Sequence, residues 1–114
     1  MSDPSPFRLV YMTAPDRDEA LRIGRALVER RLAACVNLIE RMSSVYWWQG
    51  AIESAEEVVL LAKTTVPRLP ALVEAVRSLH GYSCPCVVAL PILGGNPDFL
   101  AWIDQETAAG APGG

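Results

Sequence analysis

Apolar and polar residues recur along this chain with two periods, one typical of strands and one typical of helices. A short apolar run, Arg8 to Met12, predicts a first strand. Apolar residues then recur at helical spacing from Ala20 to Val28, behind an Asp16 that fits a helix N-cap. The same spacing predicts a second helix from Leu69 to His80. Each helix is therefore expected to bury one face.

Two long strands between these helices are predicted to form a hairpin. They run from Ala34 to Trp48 and from Ala51 to Thr64, and Gln49-Gly50 between them is a tight-turn signal. Polar residues from Glu40 to Ser44 interrupt the first of these strands. We therefore expect a bulge or bend at that point.

The last part of the chain adds a fourth strand, Pro85 to Leu93, and a short helix, Asp98 to Thr107. The order β-α-β-β-α-β with a C-terminal helix predicts an α+β ferredoxin-like sandwich, in which two helices cover one face of an antiparallel sheet. We expect this domain to span residues 8–107, with a flexible arm at 1–7 and a flexible tail at 108–114.

Composition indicates a folded, soluble domain. Of the 114 residues, 51% are hydrophobic and 20% are charged, and the formal net charge is −3. The ten cationic residues are scattered, so neither nucleic acid nor a membrane surface is an expected partner. The N-terminus lacks the features of a signal peptide. We therefore expect a cytoplasmic protein whose three cysteines stay reduced.

Several segments of the chain, from about residue 8 to residue 107, resemble the CutA divalent-cation tolerance family. The matching segments are Thr13-Ala14-Pro15-Asp16, Leu32-Ala33-Ala34-Cys35-Val36-Asn37, Tyr46-Trp47-Trp48 with Gly50, Glu57, Lys63-Thr64, His80 with Tyr82, Ala89-Leu90-Pro91, and Trp102. The resemblance implies a ferredoxin-like subunit and a homotrimer similar in architecture to the PII nitrogen-signalling proteins. It also implies association with copper and other divalent cations. The stretch from His80 to Cys86 departs from the family, since two thiols stand where relatives usually carry carboxylates.

Soft donor side chains form the candidate metal site. Cys84 and Cys86 would share one face of an extended strand, His80 is the only histidine, and Met12 closes the first strand. The topology predicts that these four residues meet at one end of the sheet. Two thiolates, an imidazole and a thioether suit Cu(I) and are acceptable to Zn(II). Each residue also has an alternative role in packing or capping, and Cys35 is interpreted as a buried structural cysteine.

Three large aromatic residues, Tyr46, Trp47 and Trp48, precede the predicted hairpin turn. Side chains alternate between the two faces of a strand, so one subunit cannot bury all three. We predict that they lie in the interface of the homotrimer, where the contact also covers strand edges.

The sequence predicts a protein of binding and assembly and not an enzyme. It holds no G-x-S-x-G or H-E-x-x-H motif. The first hypothesis is a trimeric divalent-cation tolerance protein that binds or responds to copper. The alternative is a PII-like sensor that binds a small ligand in intersubunit clefts, and such a sensor should show a cationic or Gly-rich pocket. A third possibility, a small hydrolase, would need a thiolate of depressed pKa in a cleft.

Overall fold

The computed structural model of the protein describes residues 5–108 and contains every strand and helix that the sequence predicts. The elements are, in chain order, β1 (Phe7–Ala14), α1 (Arg17–Glu29), β2 (Cys35–Trp48), β3 (Ala51–Thr65), α2 (Leu69–Leu79), β4 (Val87–Pro91) and α3 (Pro97–Thr107). A single 3₁₀ turn, Val66–Arg68, leads into α2. The N-cap of α1 is Asp16, as predicted, and its Oδ1 accepts the backbone N–H of Glu19 at 2.8 Å.

The four strands form one antiparallel sheet in the order β2-β3-β1-β4. The two strands at the centre come from different halves of the chain, and each half contributes a β-α-β unit. This is the topology of the ferredoxin-like sandwich, so the predicted fold class is confirmed.

The hydrophobic core lies between one face of this sheet and the helices α1 and α2. Alternate residues of each strand point to the same face. Met12 and Leu60 are directly paired across β1 and β3, and both belong to one buried cluster with Ile23 of α1 and Leu72 of α2. The opposite sheet face carries Tyr11, Thr13 and Glu57, and we call it the cavity face.

The predicted interruption of β2 is a β-bulge. Ile39 pairs with Val59, whereas Met42 pairs with Glu57, so β2 holds one extra residue between these pairs. Arg41 within the bulge adopts a φ of 63°, in the left-handed region. Beyond the bulge the two strands continue to the turn at Gln49 and Gly50, where positive φ at both positions is typical of a two-residue hairpin turn.

Two predicted boundaries differ from the structure. Strand β4 begins at Val87 and not at Pro85, so Cys84 and Cys86 lie in the loop that precedes it. Residues 5–7 of the predicted arm are bound to the domain, since β1 begins at Phe7 and the carbonyl of Pro6 accepts the N–H of Val66 at 2.9 Å. The rest of the predicted arm, residues 1–4, and residues 109–114 of the predicted tail lie outside the described residues.

Candidate functional site

A cavity of about 660 Å³ lies on the cavity face, between the β2–β3 hairpin and the loop of residues 80–86 that joins α2 to β4. Its lining residues come from β1, the hairpin and this loop: Tyr11, Thr13, Ser44, Val45, Tyr46, Trp48, Glu57, Gly81, Tyr82, Ser83, Cys84 and Cys86. The volume is within the range of cavities that hold small molecules. We therefore treat this cavity as the candidate functional site.

The bulge in β2 determines which hairpin residues line the cavity. Before the bulge, odd-numbered residues of β2 share the cavity face, and after it the even-numbered residues do, because one extra residue reverses the alternation. The hydroxyl of Tyr11 donates to the Sδ of Met42 at 3.3 Å, which fixes Met42 on this face. Tyr46 and Trp48 follow at two-residue steps and line the cavity. Without the extra residue they would point away from it.

Glu57 supplies the carboxylate of the cavity. This residue is buried on β3, and its Oε2 accepts a hydrogen bond from the hydroxyl of Tyr82 at 3.2 Å. Partial burial, followed by the negative charge and hydrogen bond of Glu57, raises the pKa of Tyr82 to about 12. Tyr82 is therefore a neutral phenol that donates to Glu57 at any physiological pH.

His80 anchors the cavity loop to β1. Its side chain is 1% exposed, and its Nε2 lies 2.7 Å from the carbonyl oxygen of Thr13. Because a carbonyl only accepts, Nε2 carries the proton. The other ring nitrogen, Nδ1, accepts the backbone N–H of Tyr82 at 3.0 Å. These partners assign the neutral Nε2–H tautomer. In that tautomer Nδ1 and Glu19 Oε2, which are 3.3 Å apart, are both acceptors, so their proximity is not an ion pair.

The prediction that His80 is a metal ligand does not fit this arrangement, because both of its nitrogens already have partners inside the protein. Glu19 instead holds the backbone of the loop, since its Oε2 accepts the N–H of Gly81 at 2.9 Å. A Cβ at Gly81 would lie 3.0 Å from Glu19 Oε1, so the close approach suits glycine. His80 and Glu19 therefore position the loop that carries the thiols.

Cys84 and Cys86 both line the cavity, although they do so from a loop and not from an extended strand. Cys84 is exposed and Cys86 is half-buried, and both are free thiols. Burial, and then the charge of Glu57, raise the pKa of the Cys86 thiol. A thiol of raised pKa is a poor nucleophile at neutral pH, which is the opposite of what the hydrolase hypothesis requires of Cys86.

Met12 lies in the hydrophobic core and not in the cavity. Its side chain is 1% exposed and faces the helices, whereas its neighbours Tyr11 and Thr13 face the cavity. The predicted role of Met12 as a ligand beside the thiols does not fit this placement, because alternation along β1 puts its side chain on the other side of the sheet. Within residues 5–108, no group of three or more His, Cys, Asp or Glu side chains is arranged to hold a metal ion.

The three hairpin aromatics do not form one surface. Tyr46 and Trp48 line the cavity, and Trp47, between them, does not. Trp47 is 73% exposed and pairs across the hairpin with Ile52, which is 64% exposed. The predicted interface role of all three stays a prediction, and Trp47 is the most exposed of the three.

Sequence reasoning did not identify Glu57, Tyr11 or Tyr82 as site residues. Glu57 and Tyr82 were among the segments that resemble the CutA family, and that resemblance is the signal that could have found them. The Tyr82 hydroxyl that contacts Glu57 comes from a loop 25 residues further along the chain, and no local sequence pattern reports this contact.

The fold and site together define a ferredoxin-like α+β domain with a thiol-bearing, anionic cavity on the sheet face opposite its helices. Residues 8–106 match the family model of the CutA1 divalent ion tolerance protein. The chain belongs to this family, as the resemblance predicted.

Individual relatives support the same assignment. The chain is 46% identical over 99 residues to the divalent-cation tolerance protein CutA of Thermus thermophilus, covering 87% of this chain and 96% of that protein. The solved structure of a Thermus thermophilus divalent cation tolerance protein matches with a TM-score of 0.88 and 44% identity, covering 90% of this chain and 99% of that one. Protein CutA of the mouse is 46% identical over 104 residues, which are 91% of this chain and 59% of the mouse protein. The chain thus spans about three-fifths of the mouse relative.

The prediction of a cytoplasmic location, which was based on the N-terminus, is contradicted by the locations given for similar proteins. The similar structure from Archaeoglobus fulgidus, with a TM-score of 0.87 and 39% identity, is described as a periplasmic divalent cation tolerance protein. The rice relative, 40% identical over 102 residues, is described as chloroplastic. Members of the family therefore occupy different compartments, and membership does not fix one. Across residues 5–108, every helix is too short or too polar to cross a membrane.

Proposed function

We propose that this protein acts in divalent-cation tolerance as a homotrimer that binds copper through the thiols of Cys84 and Cys86. Membership of the CutA1 family supports the relation to metal cations. The observation that carries the copper assignment is that both thiols line the same cavity. Thiolates prefer soft ions such as Cu(I). The role is one of binding and assembly, and we propose no catalytic step.

Copper fits this pair of thiols better than zinc does. Structural zinc takes four protein ligands, and catalytic zinc takes three and a water. The part of the chain that the structure describes offers no group of three suitable side chains, and His80 and Met12 are engaged elsewhere. Two thiolates suffice for Cu(I), which accepts fewer ligands than Zn(II). The Cys86 thiol must lose its proton first, and its pKa is raised by burial and then by Glu57, so affinity should fall as the pH falls.

An exposed apolar patch on the hairpin supports the homotrimer. Trp47 and Ile52 are paired across β2 and β3, on the strand face opposite to Tyr46 and Trp48. Both are exposed in the single chain. A two-stranded ribbon gains little stability by itself, and an apolar patch on it is typical of a contact with another chain. Further copies of this chain would cover the patch and the ribbon together.

The test of the copper assignment is a competition titration with Cu(I). The full-length protein is titrated without oxygen against a chromogenic Cu(I) chelator. The variants are the double substitution Cys84→Ser with Cys86→Ser and, as a matched control, Cys35→Ser, since Cys35 lies outside the cavity lining.

The parent protein and the Cys35→Ser control should each take one Cu(I) per chain from the chelator. The double variant should lose at least about 100-fold in affinity, because no soft ligand remains in the cavity. Equal copper uptake by the double variant and the parent would overturn the proposal.

A further inference from the structure

The cavity differs from an ordinary anion-binding pocket in the charge of its lining. Among the described residues that line it, Glu57 is the one charged side chain, and none is Lys, Arg or His. The carboxylate is buried on β3 and held in place by the Tyr82 hydroxyl. A nucleotide or other phosphate ligand would meet this negative charge with no cation to balance it. The lining therefore favours a positively charged ligand.

Four aromatic residues line the cavity beside Glu57. Tyr46 and Trp48 come from the hairpin, Tyr82 comes from the loop, and Tyr11 lies on the sheet. All four residues line the same cavity. The faces of Tyr and Trp rings attract cations, and the attraction is strongest for cations that shed water easily. Alkylated ammonium groups have this property, and bare metal ions do not.

We propose that the cavity binds a small organic cation that carries an alkylated ammonium group, with the rings of Tyr46, Trp48 and Tyr82 around the ammonium group and the Glu57 carboxylate as its counter-charge. The volume of about 660 Å³ is larger than one hydrated metal ion requires and is suited to a molecule of this class. The proposal is independent of the copper proposal, because it depends on the carboxylate and the rings and not on the thiols.

The test compares two probes of nearly the same shape. Choline carries a trimethylammonium group, and 3,3-dimethylbutan-1-ol replaces it with an uncharged tert-butyl group. Each is titrated into the full-length, metal-free protein in its native assembly by isothermal titration calorimetry. Choline should bind at least about tenfold more tightly than the alcohol, since the attraction of a desolvated cation to the rings and to Glu57 is lost in the neutral probe.

The matched variants are Glu57→Gln and Glu56→Gln, which remove the same charge from adjacent residues of β3. Glu56 is exposed, lies on the other strand face and does not line the cavity. Glu57→Gln should weaken choline at least about tenfold and leave the alcohol unchanged, and Glu56→Gln should affect neither probe. If Glu57→Gln fails to fold, Trp48→Leu provides the second test, with a several-fold loss expected for choline alone.

Three results would overturn the proposal. The first is equal affinity for the two probes, which would indicate an apolar pocket. The second is equal effects of Glu57→Gln and Glu56→Gln on choline. The third is the absence of measurable choline binding up to about 10 mM. All titrations use metal-free protein, so a failure of the copper proposal would not be mistaken for a failure of this one.

Discussion

The hydroxyl of Tyr82 donates a hydrogen bond to Oε2 of Glu57 across 3.2 Å, and this bond connects the α2–β4 loop to the central strand β3. A second anchor lies close by in sequence, where His80 Nε2 donates to the carbonyl of Thr13 on β1. Together the two bonds hold the thiol-bearing loop over the sheet. The carboxylate therefore has two effects, since it fixes the loop and it makes the cavity negative.

Tyr82 should titrate about two pH units above an ordinary tyrosine. Its pKa of about 12 exceeds the value near 10 of an unfolded chain, so the folded state holds this proton more tightly. The corresponding stabilisation is fully present below about pH 10 and is lost as the pH rises through about 12. Carbon-13 NMR of labelled tyrosine, assigned with Tyr82→Phe, measures the titration.

The same spectra separate the causes of this raised pKa. Glu57→Gln should lower the pKa of Tyr82 toward 10, because it removes both a negative charge and a charged acceptor. Glu56→Gln should leave that pKa within a few tenths of a unit of the parent's, since this carboxylate is exposed and lies on the other strand face. Equal shifts in the two variants would mean that Glu57 does not determine the titration.

Met12 should behave as a packing residue. Met12→Ala is expected to lower the free energy of unfolding by about 2–5 kcal/mol, because it leaves a hole in the core. Met12→Leu nearly conserves volume and should cost less than about 1.5 kcal/mol. Urea unfolding measures both, and Cu(I) affinity of the Met12→Leu protein should equal that of the parent. A loss of copper affinity in this variant would restore Met12 as a ligand.

His80 should prove to be a positioning residue. His80→Ala removes partners from the Thr13 carbonyl and the Tyr82 N–H, so it should cost about 1–3 kcal/mol of stability in urea unfolding. Arg77→Ala, an exposed change on α2 just before His80, should stay within about 0.5 kcal/mol. Long-range nitrogen-15 NMR of the parent should show a proton on Nε2 and none on Nδ1. A protonated Nδ1 in the parent at neutral pH would contradict the assignment.

Trp47 should be central to the homotrimer. Because it is exposed in the single chain and paired with exposed Ile52, Trp47→Ala should weaken assembly by about 2 kcal/mol or more per contact. Sedimentation velocity across a concentration series would show dissociation at higher protein concentration than in the parent. Leu21→Ala, a truncation of an exposed residue on α1, is the control and should leave assembly unchanged. A parent protein that sediments as a monomer at micromolar concentration would end the proposal.

The sequence predicts most of the fold because the spacing of apolar residues and the residue types at turns determine helices, strands and turns locally. The stripe from Ala20 to Leu27 and the Gln49-Gly50 turn each indicate their structure without reference to the rest of the chain. The bulge could be expected from the polar residues around Arg41, but its effect on which hairpin residues face the cavity could not. A single extra residue reverses the faces of the hairpin, and this reversal places Tyr46 and Trp48, and not Trp47, on the cavity face.

The set of candidate metal ligands could be predicted only in part, for a similar reason. Topology correctly brings Met12, His80 and the thiols to one end of the sheet. Which face each side chain points to depends on strand alternation, and whether a nitrogen is available depends on its partners in the folded chain. Strand alternation points Met12 into the core, and the nitrogens of His80 already have hydrogen-bond partners. The departure from the family at Cys84 and Cys86 was visible in the sequence.

X-ray absorption at the copper edge tests the central claim most directly, namely that the two cavity thiols hold the metal. The full-length protein is loaded with one Cu(I) per chain without oxygen, and its spectrum is compared with those of Cys84→Ser and Cys35→Ser proteins. We predict that the nearest neighbours of copper in the parent are sulfur atoms alone. Cys84→Ser should change the spectrum, and Cys35→Ser should give the parent spectrum. Imidazole scattering in the parent, or the parent spectrum in Cys84→Ser, would contradict it.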